Sequence, residues 1–170
     1  MERSKSKMIK FYCTEKLHKT LELNNIESYA PAYGGESAGL DLYNCGPTID
    51  IRPCSDIQSD TVAPQKVLIP TGVRIDVPRG YVALVQERGS VTKTPLKVRA
   101  GVIDSGYTGE VFVNCINTGS DVYTIYAKRK LPFQIVVVKC DNDFQVVTEE
   151  EYLNLTSTAQ RQDGQVGSSD

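Results

Sequence analysis

The sequence predicts an all-β domain, a sandwich or barrel of short strands. Three observations carry that expectation. Short apolar runs follow one another at close spacing, broken by Gly, Pro, Asn and Asp, as brief strands joined by turns require. Where a run is long enough to show a period, the period is two. In "KVLIPTGVRIDVPRG", Val73, Ile75 and Val77 face one way and Arg74 and Asp76 the other. Helical candidates are short: "EEEYLNL" near the end and a weaker one in "EKLHKTLELN" near the start.

Taken in order, residues 1–7 read as a disordered tip. "MIKFYC" reads as the first strand, and "YVALVQE", "EVFVNCIN", "DVYTIYA" and "FQIVVVKC" as later ones. Residues 51–64, "IRPCSDIQSDTVAP", are polar and irregular and read as a surface loop. Residues 8–155 therefore form the β domain. Residues 156–170, "TSTAQRQDGQVGSSD", are Gly- and Ser-rich, nearly free of apolar groups, and read as a flexible arm. No internal repeat is visible.

A chain of 170 residues suggests one domain with a core large enough to fold alone. The net charge of −2 argues against a general nucleic-acid binder, because phosphate-backbone binding needs a basic excess. A polyanion would have to be held by a few placed cations. The five cysteines form no C-x-x-C pair and read as reduced, half-buried thiols. The only histidine, His18, reads as a surface residue, so any catalysis must run on carboxylates, arginines and a bound ion. No apolar run follows the basic start and none approaches a membrane span, so the expectation is a soluble, intracellular protein.

Four stretches could carry chemistry. "GVIDSGYTGE" (101–110) holds Asp104 and Tyr107 among turn signals between two strand-like runs, which predicts a β-hairpin. Period and composition alone leave it a plain hairpin with a polar tip. "SAGLDLYN" (37–44) places Asp41 inside a short strand. "QERGSVTK" (86–93) puts Arg88, Gly89 and Ser90 on a turn, offering a guanidinium, a hydroxyl and backbone N–H groups as a phosphate cradle. "RQDGQVGSSD" (161–170) offers Arg161 with a Gly-Ser-Ser run of the same kind.

In this order and spacing the four stretches resemble the motifs of the homotrimeric dUTP pyrophosphatases (dUTPases). The first motif, A-G-x-D-L, matches Ala38 to Leu42. The third, G-V-I-D-x-D-Y-x-G, matches Gly101, Val102, Ile103, Asp104, Tyr107 and Gly109, with Gly106 where an acid is usual. The second, P-R-S-G-L, keeps Arg88 but has Glu87 for the proline and Gly89-Ser90 in reversed order. The fifth, R-G-x-x-G-F-G-S-T-G, keeps Arg161, Gly167 and Ser168 but has Val166 for the phenylalanine. The fourth, G-D-R-I-A-Q-L, keeps Gln134 and an apolar Ile135. The resemblance spans roughly residues 8–170.

The resemblance implies a jelly-roll-like β fold (the dUTPase β-clip, a distorted barrel), a homotrimer with shared active sites, and hydrolysis of dUTP to dUMP and pyrophosphate. That reaction keeps uracil out of DNA and supplies dUMP for thymidylate synthesis. It implies that backbone groups around Gly101 and Ile103 read uracil and that Tyr107 packs on the deoxyribose. Asp104 then serves as general base toward the water attacking the α-phosphorus. Arg88, Gly89, Ser90 and Gln134 are implied as phosphate contacts, with the cradle on a neighbouring subunit. Mg²⁺ is implied on the phosphates with no direct protein ligand; Asp41 stands beyond its waters or braces the hairpin. The arm is implied as a lid, Arg161 reaching the γ-phosphate and Gly167-Ser168 wrapping the phosphates. Val166 cannot stack on uracil as a phenylalanine does, which implies a weaker lid.

The departures fall in the phosphate-handling motifs. A nucleotide-sensing or partner-binding module with little turnover therefore stays open as a second reading. The retained Asp104 weighs against it, because a binder has no need of a base. A dCTP deaminase shares the fold, but Glu110 is the only glutamate in the stretch. Glu87 beside the cradle adds repulsion unless it turns outward or pairs with Lys93.

Overall fold

The computed structural model describes residues 9–54, 65, 67–141 and 144–156. The 1–7 tip, most of the 51–64 loop and the arm beyond 156, with Arg161, Val166, Gly167 and Ser168, lie outside the described residues.

Eleven strands and two short helices make up the described chain: β1 Lys10–Cys13, α1 Glu15–Leu23, β2 Gly39–Tyr43, β3 Ile49–Ile51, β4 Leu68–Pro70, β5 Val73–Asp76, β6 Tyr81–Glu87, β7 Leu96–Arg99, β8 Val102–Ile103, β9 Phe112–Asn117, β10 Tyr123–Ile125, β11 Lys130–Lys139 and α2 Glu149–Thr156. The expected all-β class holds, and both helical candidates form. The strands make a four-stranded sheet in the order β2-β11-β6-β8, a three-stranded sheet β4-β9-β7, and two ribbons, β1-β5 and β3-β10. Every ladder is antiparallel.

The core sits between the sheets and follows from alternation. Along β5, Val73 and Ile75 are buried and Arg74 and Asp76 exposed; along β9, Val113, Cys115 and Asn117 are buried. Along β11, Leu131, Phe133 and Ile135 point inward, leaving Lys130, Pro132 and Gln134 on the outer side. Helix α1 closes one end with Leu17 and Leu21, one turn apart on its buried face. Asn24 ends that helix and ties it to the chain before β11, donating to the carbonyls of Thr20 (2.7 Å) and Lys128 (2.8 Å).

Two buried asparagines close loops in the same way. Asn44 donates to the carbonyls of Pro47 (2.8 Å) and Tyr126 (3.1 Å), and its Oδ1 accepts from the Gly46 N–H (2.9 Å). Asn117 donates to Ile51 (2.9 Å) and Asp121 (2.7 Å) and accepts from Gly119 (2.9 Å). Each is an Asn-x-Gly turn whose side chain satisfies backbone groups that would otherwise be buried unpaired.

Residues 67–80 hold two strands, because Gly72 takes φ +69 and the Thr71 hydroxyl donates to the Val111 carbonyl (2.6 Å), turning the chain. One sequence expectation changes. The 101–110 stretch is not a two-stranded hairpin. β8 pairs with β6, while β9 pairs with β4 and β7, so the turn crosses between sheets. Val111 N–H donates to the Val73 carbonyl (2.8 Å), which draws the outgoing chain to β5 instead of back along β8.

Cys115 is wholly buried, and burial pushes its thiol up to about 12. Below that value it stays the unreactive thiol. We expect Cys115 to resist a thiol-labelling reagent at pH 8 in the native protein and to react in denaturant, read by mass spectrometry. Rapid native labelling would contradict this packing.

Candidate active site

Two clusters of the expected residues form on the four-stranded sheet, one across β2, β11 and the end of β6, the other after β8. The first begins at Asp41, mid-strand on β2. It lies opposite Gln134 of β11, which lies opposite Gln86 of β6. Gly39 leaves room for the Gln134 side chain, which occupies the space a Cβ would need. Gln134 Nε2 donates to the Glu87 carbonyl (3.2 Å), and Arg88 N–H donates to the Pro132 carbonyl (2.9 Å). These bonds fix the chain where β6 ends and the short 3-10 turn Gly89–Lys93 begins. Val91, buried, roots that turn; Gly89 and Ser90 stay exposed, and a Cβ at Gly89 would meet nothing within 4 Å. The expected cradle is therefore an open turn on a fixed stem.

The carboxylate of Asp41 carries two cations. Arg88 Nε lies 2.6 Å from Oδ1 and Lys130 Nζ 2.9 Å from Oδ2. The carboxylate side chain is 17% exposed, against 27% for Arg88 and 45% for Lys130, so the cations cover the acid. Using Nε leaves both Nη groups of Arg88 toward solvent; Nη1 is 3.5 Å from Ser90 Oγ, too far to bind it firmly. Lys130 Nζ also lies 5.7 Å from the centre of the Tyr43 ring, within cation–π range. Partial burial alone would lower the Lys130 pKa. The hydrogen bond and charge of Asp41, with Tyr43, outweigh it and hold the ammonium above its ordinary range. Behind the cluster, the Tyr29 hydroxyl donates to the Asp41 carbonyl (2.6 Å), and burial keeps that hydroxyl un-ionised.

Glu87 turns away from the cradle and pairs with Lys97 on β7 (3.4 Å), not with Lys93; its other oxygen accepts from Val98 N–H (3.3 Å). Its repulsion is spent there. Asp41 braces Arg88 and Lys130, and β11 and β6 separate it from the 101–110 segment of its own chain.

The second cluster follows β8. Gly101 approaches β6 so closely that a Cβ would lie 2.6 Å from the Val85 carbonyl oxygen, and Val85 N–H donates to the Gly101 carbonyl (2.8 Å). Ile103 faces the core. Asp104 is exposed, and its carbonyl accepts from Tyr107 N–H (3.2 Å) across a turn with Gly106 at φ +85, a conformation glycine adopts without strain. The Tyr107 ring lies against Gly109 and its hydroxyl donates to the Glu110 carbonyl (2.8 Å). The Glu110 carboxylate accepts from Gly72 N–H (2.8 Å) and anchors the end of the turn. Ala100, Val102, Asp104, Tyr107 and Phe112 border a cleft of about 260 Å³. It is a largely apolar recess that also holds the carboxylates of Asp104 and Glu110 and the rings of Tyr107 and Phe112.

β11 and β6 lie between Asp41 and β8, and Ile103 pairs with Ala83, five residues before Arg88 along β6, so at about 3.3 Å per residue Arg88 stands roughly 16 Å along the sheet from Ile103. Within one chain the cations and Asp104 do not converge. Sequence reasoning missed Lys130, Tyr29 and the anchoring role of Glu110. For Lys130 the signal was available: counting back from Gln134, a lysine stands where the fourth motif has its aspartate.

The dUTPase family profile matches residues 25–170. The chain is 36% identical over 130 residues to the deoxyuridine 5'-triphosphate nucleotidohydrolase of Escherichia phage T5, covering 71% of this chain and 82% of that one. It is 36% identical over 106 residues to the enzyme of the same name from Chlamydia caviae, covering 61% and 72%. Among solved structures, the dUTPase of Staphylococcus bacteriophage 80alpha with dUpNHpp superposes with a TM-score of 0.67 at 20% identity, over 97% of this chain and 99% of that one, and so shares its jelly-roll-like fold. With Asp41 of motif one on β2 and Asp104 and Tyr107 of motif three just after β8, this chain belongs to the dUTPase family.

Proposed function

We propose that this dUTP diphosphatase works through a site assembled from two copies of the chain, the Asp41–Arg88–Gln134 cluster of one facing the Asp104–Tyr107 cleft of another. The observation that carries this reading is the separation itself: Ile103 pairs with Ala83, five residues before Arg88 along β6, so the cations and Asp104 stand at different ends of that strand, and Asp41 lies two strands further across. A homotrimer, as in the family resemblance, brings such clusters together.

The uracil enters the cleft, where the backbone around Gly101 and Ile103 presents N–H and carbonyl groups to its edge. The Tyr107 ring packs on the deoxyribose and leaves no room for a 2′-hydroxyl. Arg88, Gly89 and Ser90 take the phosphates of the same nucleotide, with Gln134 fixing the cradle from behind. Asp104 then accepts a proton from a water, whose oxygen bonds to the α-phosphorus as the bond to the bridging oxygen breaks and pyrophosphate leaves. Positioning and charge neutralisation supply most of the acceleration.

Both oxygens of Asp41 already hold cations, and among the described residues no three His, Cys, Asp or Glu side chains lie together as a metal cage. That donor set fits Mg²⁺ carried on the phosphates and its own waters. When bound there, the ion neutralises phosphate charge and favours one arrangement of the three groups. In this reading Asp41 acts by orienting Arg88. The arm is assigned its lid role with Arg161, Val166, Gly167 and Ser168, closing over the phosphates and excluding water.

The test is pyrophosphate release from dUTP with Mg²⁺, against dTTP, dCTP and UTP. We expect release from dUTP alone. Tight binding of the imido analogue dUpNHpp without release from dUTP would overturn the base assignment. Ammonia release from dCTP would point to deamination.

A further inference from the structure

We propose that Lys130 is a phosphate-binding residue of this site, holding the outer phosphates of the nucleotide alongside Arg88. The inference rests on the reading above and adds a residue to it.

The argument starts from charge and placement. Asp41 offers one negative charge to two cations, so the Arg88–Asp41–Lys130 cluster carries one net positive charge. The nearest acid, Glu87, is taken up by Lys97 and the Val98 N–H and subtracts nothing. Lys130 gives one of its three N–H donors to Asp41 and is nearly half exposed, which leaves donors facing solvent. Its stem is pinned: β11 fixes the backbone opposite Tyr43, and the ammonium stands near the Tyr43 ring. A lysine held this way has less side-chain freedom to lose on meeting a ligand.

Lys130 and Gln134 share the outer side of β11, and Gln134 supports the chain that carries Arg88. The ammonium and the guanidinium therefore lie on the two oxygens of one carboxylate, both partly exposed. Two cations presented side by side suit an anion with several adjacent oxygens, which a chain of phosphates has and a single exposed carboxylate partner does not need. Bracing Arg88 is a role its own ion pair with Asp41 already fills, and Lys130, the more exposed of the two cations, adds a second charge there. The fixed cation also supplies positive charge where motif four departs most from the family pattern.

The test compares dUpNHpp with dUMP by calorimetry in the presence of Mg²⁺, using the full chain and the K130A, K130M and K130R variants. K130M keeps the apolar stem over Tyr43 and answers the question if K130A is poorly folded. We expect K130A and K130M to weaken dUpNHpp binding by about tenfold or more, to leave dUMP within about twofold, and to flatten the salt dependence. K130R should recover most of the loss. Equal loss for both nucleotides, or none in folded variants, would overturn the proposal by making Lys130 a brace only. If the unmodified chain binds neither nucleotide, it is the proposed function that fails, and the variants are then read against inorganic pyrophosphate with Mg²⁺: unchanged binding there overturns the Lys130 assignment as well.

Discussion

Asp104→Asn is expected to lose at least about a hundredfold in dUTP turnover while binding dUpNHpp about as tightly as the unmodified chain. The amide has the shape of the carboxylate but cannot accept the proton that the attacking water must lose, and a placed general base contributes about 10² to 10⁴ in rate. Folding should be untouched. Asp104 is exposed, and its backbone carbonyl accepts from Tyr107 N–H, a bond the substitution keeps. Surface changes of this kind stay within about 0.5 kcal/mol. A variant that keeps a tenth of the rate or more, at unchanged analogue affinity, would remove Asp104 from the role of base.

The largest stability effect is expected at Phe133. It is wholly buried at the middle of β11, the strand that contacts both β2 and β6 and carries Lys130 and Gln134 on its outer side. Phe133→Ala removes a ring from the densest part of the core, and such truncations cost about 3–5 kcal/mol. Against a total of about 5–15 kcal/mol that is a large share, and it lowers the melting temperature by roughly 10 °C in a domain of this size. The backbone that positions Arg88 through Pro132 loosens with it, so the Michaelis constant for dUTP should rise before turnover falls. A loss below about 1 kcal/mol in denaturant titration would mean that β11 is not the spine of the sheet.

The sequence displayed its strands wherever burial was one-sided. Val73, Ile75 and Val77 alternate because one face of β5 packs inward, and that pattern needs no knowledge of the partner strand. Pairing was another matter. The turn signals around Ser105-Gly106 and Thr108-Gly109 promise a reversal, and the chain does turn there. Which strands accept the two ends depends on residues as distant as Val73 and Val85, and no local signal carries that. The same holds for the site. Asp41 and Arg88 could be singled out from their motifs, but their contact spans 47 positions and passes through the β2-β11-β6 register. Lys130 could be placed at the aspartate position of the fourth motif, but surface lysines are common, and its role shows only in its distance to Asp41. Asn44, just past β2, and Asn117, at the end of β9, carry no special sequence signal, but burial turns them into the fasteners of the loops that follow.

The length of β6 between Ala83, opposite Ile103, and Arg88 also bears on how the proposed two-chain site would behave when the protein is scarce. In such a site catalytic capacity is a property of association. Halving the amount of protein near the dissociation point of the assembly removes more than half of the active centres, so specific activity falls with dilution and recovers on adding back inactive chains that keep the missing cluster. A nucleotide gripping both clusters acts in the opposite direction, because each molecule bound ties two chains together. Substrate then serves as glue as well as feedstock, and the assembly is most robust when dUTP is abundant.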